Sequence, residues 1–280
     1  MMEKTLDEKK LKAFEVFLIA DEKSDATVEK YMRDVKHFFD FAGSSCICKE
    51  LIIEYKNKLG SSYAVSSANS MLAALNSFLR FCGWYELCVK RFHVQRQAFC
   101  TEEKELTKAE YARLLKTANQ RKNQRLELML QTICGTGIRV SELQYITVES
   151  ISRSEATVSC KGKIRRIFIV SALKKKLLKY AKAHKIRTGP VFVTKSGKPI
   201  SRSNIWREMK ALCDQAKVSP TKVFPHNLRH LFARTFYTIE KDIAKLADIL
   251  GHSSIETTRI YIVTTCAEHK RRMENMRLII

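Results

Sequence analysis

Over the first 90 residues, apolar side chains recur at intervals of three and four. Val28, Tyr31, Met32, Val35, Phe38, Phe39 and Ala42 share one face of a helix that Gly43 closes with a left-handed cap. Met71, Leu72, Leu75, Phe78, Leu79 and Cys82 line a second helix that ends at Gly83, and helices around Leu11 to Ile19 and Leu51 to Leu59 complete a four-helix unit. Lys90 to Glu105 is polar and without helical period, as expected of a linker. Thr107-Lys108-Ala109-Glu110 is then a capping box that opens a second domain. Leu126 to Cys134 predicts a short apolar helix broken at Gly135-Thr136-Gly137, with Arg139 beginning the next one. There the period drops to two. Ala156 to Cys160 and Ile167 to Val170, around Lys161-Gly162-Lys163, predict a β-hairpin, and Val191 to Val193 a further short strand. From Ser201 onward the pattern is helical again. The expected fold is mainly α: a helical domain over 1–90, a linker over 91–106, and an α+β domain over 107–280 with a small antiparallel sheet.

Charge changes this picture from a generic helical protein to one with an anionic partner. Among 280 residues, 51 Lys and Arg stand against 29 Asp and Glu, a formal net charge of +22. No acidic residue occurs from Ala156 to Arg207, while Lys174, Lys175, Lys176, Lys179, Lys182, Lys185 and Arg187 crowd the same stretch. A field of one sign repels itself and is tolerated most easily where phosphates neutralise it, so the expected partner is nucleic acid before membrane. Lys30, Arg33, Lys36, Asn69, Asn76 and Arg80 on the first domain are further candidates for phosphate contact, although each is more simply a solvated surface residue. No apolar run is long enough to span a bilayer, and the start lacks an apolar signal core, which leads to the expectation of a cytoplasmic protein. The nine cysteines are scattered and odd in number; Cys46-Ile47-Cys48 is too close for a usual zinc pair, and the expectation is buried, reduced thiols.

The chemistry concentrates in Pro225-His226-Asn227-Leu228-Arg229-His230, Leu250-Gly251-His252 and Tyr261. Breaking a phosphodiester without a metal or cofactor requires neutralised non-bridging oxygens, a deprotonated nucleophile and a protonated leaving oxygen. Arginine suits the first task because its planar fork donates two parallel bonds and keeps its charge. Tyrosine suits the second within a positive neighbourhood, and lysine or histidine the third. His226 and Arg229 are three apart and face one way on a helix.

At these residues the chain resembles the tyrosine recombinase (phage integrase) family. Gly137-Ile138-Arg139-Val140-Ser141-Glu142-Leu143 matches the family's Gly-x-Arg-x-Ser-Glu-Leu segment, and Lys161-Gly162 its hairpin Lys-Gly pair. His226 and Arg229 match the His-x-x-Arg box, and Leu250-Gly251-His252 the Leu-Gly-His box. Tyr261, nine residues after His252, stands at the place of the nucleophile. The size and layout are similar to the Xer-type and short members, which pair a SAM-like core-binding domain with a catalytic domain and lack an arm-type domain. The resemblance implies a site-specific recombinase acting on double-stranded DNA as a tetramer of like or paired subunits, with accessory DNA-binding proteins in some systems. It implies that Arg139 and Arg229 clamp the scissile phosphate with His252 as a further donor, that His226 moves the Tyr261 proton, and that Lys161 protonates the leaving 5′-hydroxyl. Lys163 competes for that last place, and the Lys-Gly pair favours Lys161. The basic segment from Ala267, ending in Leu278-Ile279-Ile280, reads either as an amphipathic helix that covers its own core or, as the resemblance implies, as one that docks on a neighbouring protomer. A type IB topoisomerase shares the chemistry without paired sites, and a regulator that kept only the fold would have no use for Tyr261.

Overall fold

A computed structural model describes residues 7–43, 45–93, 105–160, 163–194, 196–262 and 273–276, with only the backbone of Cys160, Lys163 and Ile262. The chain clusters into two compact units, Met1–Arg96 and Gln97–Ile280. Among the described residues no helix is long and apolar enough to cross a membrane.

The first unit is built from α1 (Glu8–Ala20), α2 (Asp25–Ala42), α3 (Lys49–Ser62) and α4 (Val65–Phe81). Asp7 caps α1 by accepting from the Lys10 amide, and Gly43 ends α2 at φ +54°. The periodic residues are the core: Phe14, Val35, Phe38, Tyr55, Leu72, Leu75 and Phe78 are fully buried. Two of the candidate phosphate contacts have a different role. Asn76 clamps the Val89 backbone with bonds of 2.8 and 3.0 Å, and Asn69 clamps the Phe92 backbone with bonds of 2.9 and 2.7 Å. Each amide fits one residue of the segment that leaves α4, so both asparagines hold chain rather than face solvent. Cys46 and Cys48 also depart from expectation, since both are exposed.

The second unit starts at the Thr107–Glu110 capping box with α5 (Lys108–Gln120), followed by α6 (Gln124–Thr136). A 3-10 turn over Val140–Tyr145 leads to α7 (Val148–Arg153), and two strands follow, β1 (Glu155–Cys160) and β2 (Lys163–Phe168). The rest is helical: α8 (Ser171–Ala183), α9 (Arg202–Lys210), α10 (Cys213–Ala216), α11 (Pro225–Glu240), α12 (Ile243–Leu250) and α13 (Ile255–Ile262). Helix α6 is the hub: it packs on α5, α8 and α11, and Leu126, Leu128, Met129, Leu130, Thr132, Ile133 and Thr136 are buried along it.

Local expectations shift in three places. Helix α6 runs through Gly135 and ends at Gly137, and Arg139 stands in extended backbone (φ −74°, ψ 148°) as the cap of the 3-10 turn rather than the start of a helix. The second strand begins at Lys163 instead of Ile167, because β1 pairs it from Cys160↔Lys163 to Glu155↔Phe168. Pairing, not apolar content, sets its length, so the polar Arg165 and Arg166 belong to it. Val191 to Val193 forms no strand and contributes one isolated bridge, Val193↔Pro199. Lys161 and Gly162 lie outside the described residues, as does the tail after Ile262 except for the turn Met273–Met276.

Candidate active site

Glycine chemistry sets the entry to the site. Gly137 ends α6 at φ +64°, and a Cβ there would stand 2.5 Å from Phe232 Cδ1 and 3.0 Å from Leu250 Cδ2. Only glycine satisfies both the left-handed backbone and the close approach of α11 and α12. The turn directs Arg139 outward, where its amide donates to Glu142 at 2.9 Å and its Nη1 to the same carboxylate at 3.0 Å. Gly251 repeats the device at the end of α12: φ is +64°, and a Cβ would collide with Arg165 Cδ. His252 follows, its amide donating to Ala247 O at 3.0 Å.

Helix α11 begins with Pro225 in its first turn, where the missing N–H has no partner to lose. His226 stays exposed at that end, while Arg229, one turn further in, is 1% exposed and the largest fully buried side chain among the described residues. Three consecutive carbonyls at the end of α12 are each capped by a different arginine. Ile249 O accepts from Arg165 at 2.6 Å, Leu250 O from Arg229 at 2.6 Å, and Gly251 O from Arg139 at 3.3 Å. Arg229 also donates to Gly137 O, and Arg165 to Glu142. The helix terminus carries partial negative charge and holds the guanidiniums together, with help from one carboxylate. Burial alone pushes the Glu142 carboxyl up, but the Arg139 amide and the Arg165 and Arg139 guanidiniums outweigh it and hold it below the usual range. Two of the three guanidiniums, Arg139 and Arg165, share the one carboxylate of Glu142, and Arg229 has none, so the cluster keeps an excess of positive charge. Burial, then the Arg139 charge, pulls even the Arg229 guanidinium down to about 10. The arrangement is a prepared anion site.

Tyr261, at the end of α13 and 5% exposed, enters this positive pocket. Its hydroxyl is 3.0 Å from His226 Nε2, and its ring centroid is 6.0 Å from Arg229 Cζ. Partial burial, then the Arg229, Arg139 and Arg202 charges, lowers the His226 pKa, so the ring is a neutral acceptor for the phenol proton. His252 is fixed on both nitrogens. Its Nε2 lies 3.0 Å from Arg229 Nη2, which can only donate, so Nδ1 carries the proton and donates to Thr258 Oγ1 at 2.8 Å. Burial, then the Arg229, Arg139 and Arg165 charges, brings its pKa to about 4. Without an anion, His252 therefore has no free N–H to offer.

Five of the six candidate residues thus converge from three separate stretches of the second unit, while Lys161 falls outside the described residues. Glu142, Arg165, Thr258 and His230 join the site without having been expected there. Glu142 was legible as the third residue after Arg139, and His230 as the fourth after His226; Arg165 and Thr258 had no local signal. Among the described residues no group of three or more His, Cys, Asp or Glu is placed to hold a metal ion.

Comparison with known proteins places these observations. The sequence model of the phage integrase family matches residues 104–268, and that of the phage integrase N-terminal SAM-like domain matches residues 11–85. Tyrosine recombinase XerA of Pyrococcus furiosus is 28% identical over 286 aligned positions, spanning 100% of this chain and 98% of that protein. Tyrosine recombinase XerD of Halalkalibacterium halodurans is 29% identical over 275 positions, spanning 90% of each. In fold, the chain is similar to the crystal structure of XerA recombinase, with a TM-score of 0.54 at 23% identity over 98% of this chain and 99% of that one. It is also similar to a lambda integrase dimer bound to a COC′ core site, with a TM-score of 0.74 at 18% identity over 93% of this chain and 77% of that one. Since the family match extends over more than half of the 280 residues and contains the whole Arg139-to-Tyr261 constellation, the chain belongs to the phage integrase family of tyrosine recombinases.

Proposed function

We propose that the protein is a site-specific DNA recombinase that cuts and rejoins strands through a covalent 3′-phosphotyrosine. The observation that carries this reading is the Tyr261 hydroxyl on His226 Nε2 at 3.0 Å, beside buried Arg229 in a pocket with excess positive charge. Arg139 and Arg229 take the non-bridging oxygens of the scissile phosphate. The Tyr261 oxygen attacks phosphorus as its proton passes to His226, the bond from phosphorus to the 5′-oxygen breaks, and Lys161 supplies the proton that oxygen needs. The new ester keeps the bond energy, so a 5′-hydroxyl of a partner strand reverses the step without ATP. His252 joins as a donor only once the phosphate draws Arg229 off its Nε2 and a proton replaces it there.

The expected partner is double-stranded DNA, as the +22 charge favours and as the lambda integrase dimer on its core site exemplifies for that protein. Exchange between two duplexes requires four nucleophiles, hence a tetramer of like or paired subunits on DNA. The division of labour we infer is a DNA-clamping unit over 1–90, a connecting segment over 91–106 and the reacting unit over 107–280.

The test works without a known target site. Cells expressing the protein are denatured rapidly in detergent, and DNA covalently attached to it is recovered and sequenced. Ends clustered at short inverted repeats, absent from Tyr261→Phe, are the expected result. Ends scattered along the genome would indicate a topoisomerase instead, and adducts persisting in Tyr261→Phe would remove the tyrosine from the mechanism.

A further inference from the structure

His230 has no role in the chemistry above, yet its ring makes the closest aromatic contact with Tyr261. The His230 and Tyr261 centroids are 4.1 Å apart with the planes inclined at 35°, against 5.0 Å for His252 and 5.3 Å for His226. His230 stands one helical turn after His226 on α11, their ring centroids 4.9 Å apart, and Tyr261 is 5% exposed between these rings and Arg229. Burial, then His226, Arg229 and His252, brings the His230 pKa to about 4, so the ring is uncharged at neutral pH.

We propose that His230 is a positioning residue: a flat, uncharged floor against which the Tyr261 ring leans, so that the hydroxyl is presented to His226 and to the arginine pocket. The inference rests on the reading of Tyr261 as the nucleophile. One hydrogen bond fixes where the hydroxyl lies but leaves the ring plane free to rock about it. A second surface, one flat ring wide, removes that freedom. An aliphatic side chain would fill the space without selecting an orientation. A charged one would add a cation next to His226 and disfavour the protonated imidazole that forms when the phenol loses its proton. Offset contact between flat rings supplies the orientation without charge.

The experiment uses the full-length protein on the site recovered by adduct sequencing, with single-turnover cleavage, DNA affinity and thermal unfolding measured in parallel. His230→Leu matches volume but not flatness; His230→Phe keeps the flat floor. We expect His230→Leu to cleave about 10- to 100-fold more slowly, the size of effect that misplacing a reacting group produces. DNA affinity and unfolding midpoint should stay close to wild type, and His230→Phe should recover at least about tenfold of the loss in rate. A substrate with sulfur in place of the bridging 5′-oxygen releases a thiolate that needs no proton, and the deficit of His230→Leu persists on it if the residue orients the attacking ring. Equal rates for wild type and His230→Leu, equal deficits for Leu and Phe, or a deficit erased by the sulfur substrate would each overturn the proposal. Absence of any adduct with the wild-type protein would overturn the underlying functional reading instead.

Discussion

Burying an arginine without a carboxylate beside it is unfavourable unless its N–H groups find acceptors. Arg229 finds two backbone carbonyls, Gly137 O and Leu250 O, and the Nε2 of His252. That arrangement forces His252, and the enclosure around it His230, into the neutral form, with consequences for pH. Both rings have pKa values of about 4 in the fold, against about 6.5 for the free side chain. As pH falls, the unfolded chain takes up these protons first, so the stability present above about 6.5 is lost on the way down to about 4. We predict that the unfolding midpoint drops from pH 7 to pH 5, and that His252→Asn reduces the drop. An anion in the pocket favours protonated His252 and reverses part of this. Sulfate, which stays divalent throughout, should raise the midpoint more at pH 5 than at pH 7, and that difference should vanish in His252→Asn. A sulfate effect equal at both pH values would detach His252 from anion binding.

At the scale of elements, the end of α12 is where β2, α11 and the turn after α6 are tied together. One short helix offers three successive carbonyls, and Arg165, Arg229 and Arg139 arrive at them from three directions. The stem of Arg165 lies directly under Gly251, with no room for a methyl group. Gly251→Ala must therefore strain a left-handed backbone, at about 1–2 kcal/mol, and displace Arg165 in addition. We expect Gly251→Ala to destabilise the protein by about 2 kcal/mol or more and to abolish adduct formation. In a double-mutant cycle by chemical denaturation, Gly251→Ala with Arg165→Ala should destabilise less than the two single changes summed, because the clash disappears once the Arg165 side chain is gone. Strict additivity would mean that the clash is not the cause.

At the scale of the whole molecule, the acid-free stretch resolves into used and unused lysines. Lys174 is tied to Ser152 O at 2.6 Å and Lys176 to Gln131 at 2.9 Å, whereas Lys175, Lys179 and Lys182 on α8 are exposed. If these three meet phosphates, replacing them with Gln weakens binding alike on all DNA sequences and lowers the log–log salt slope by about 1 for each phosphate no longer neutralised. Single-turnover cleavage at saturating DNA should stay unchanged, since none of them lies in the Tyr261 pocket. A salt slope equal to that of wild type would take α8 out of the interface.

The sequence by itself determined the helices of the first unit and several of the second, the capping box at Thr107 and Glu110, the presence of a hairpin, and the candidate site residues with their order. These signals are local. An amphipathic face repeats within a turn or two, a cap spans three residues, and His226 with Arg229 or Leu250 with His252 can be read within one window. Tertiary structure decided what depends on distant partners. Arg229 meets Gly137 across 92 positions of sequence, and Arg165 meets Ile249 across 84. No window contains both ends of such pairs, so the depth of Arg229, the arginine caps on α12 and the contact of the His230 ring with Tyr261 had no sequence signal. The same reason explains the strand that began four residues early, where pairing with β1 outweighed the polar Arg165 and Arg166. It also explains the two asparagines expected at a surface, whose amides proved to fit the backbone of Val89 and Phe92. Periodicity tells which side of an element is buried; only packing tells against what.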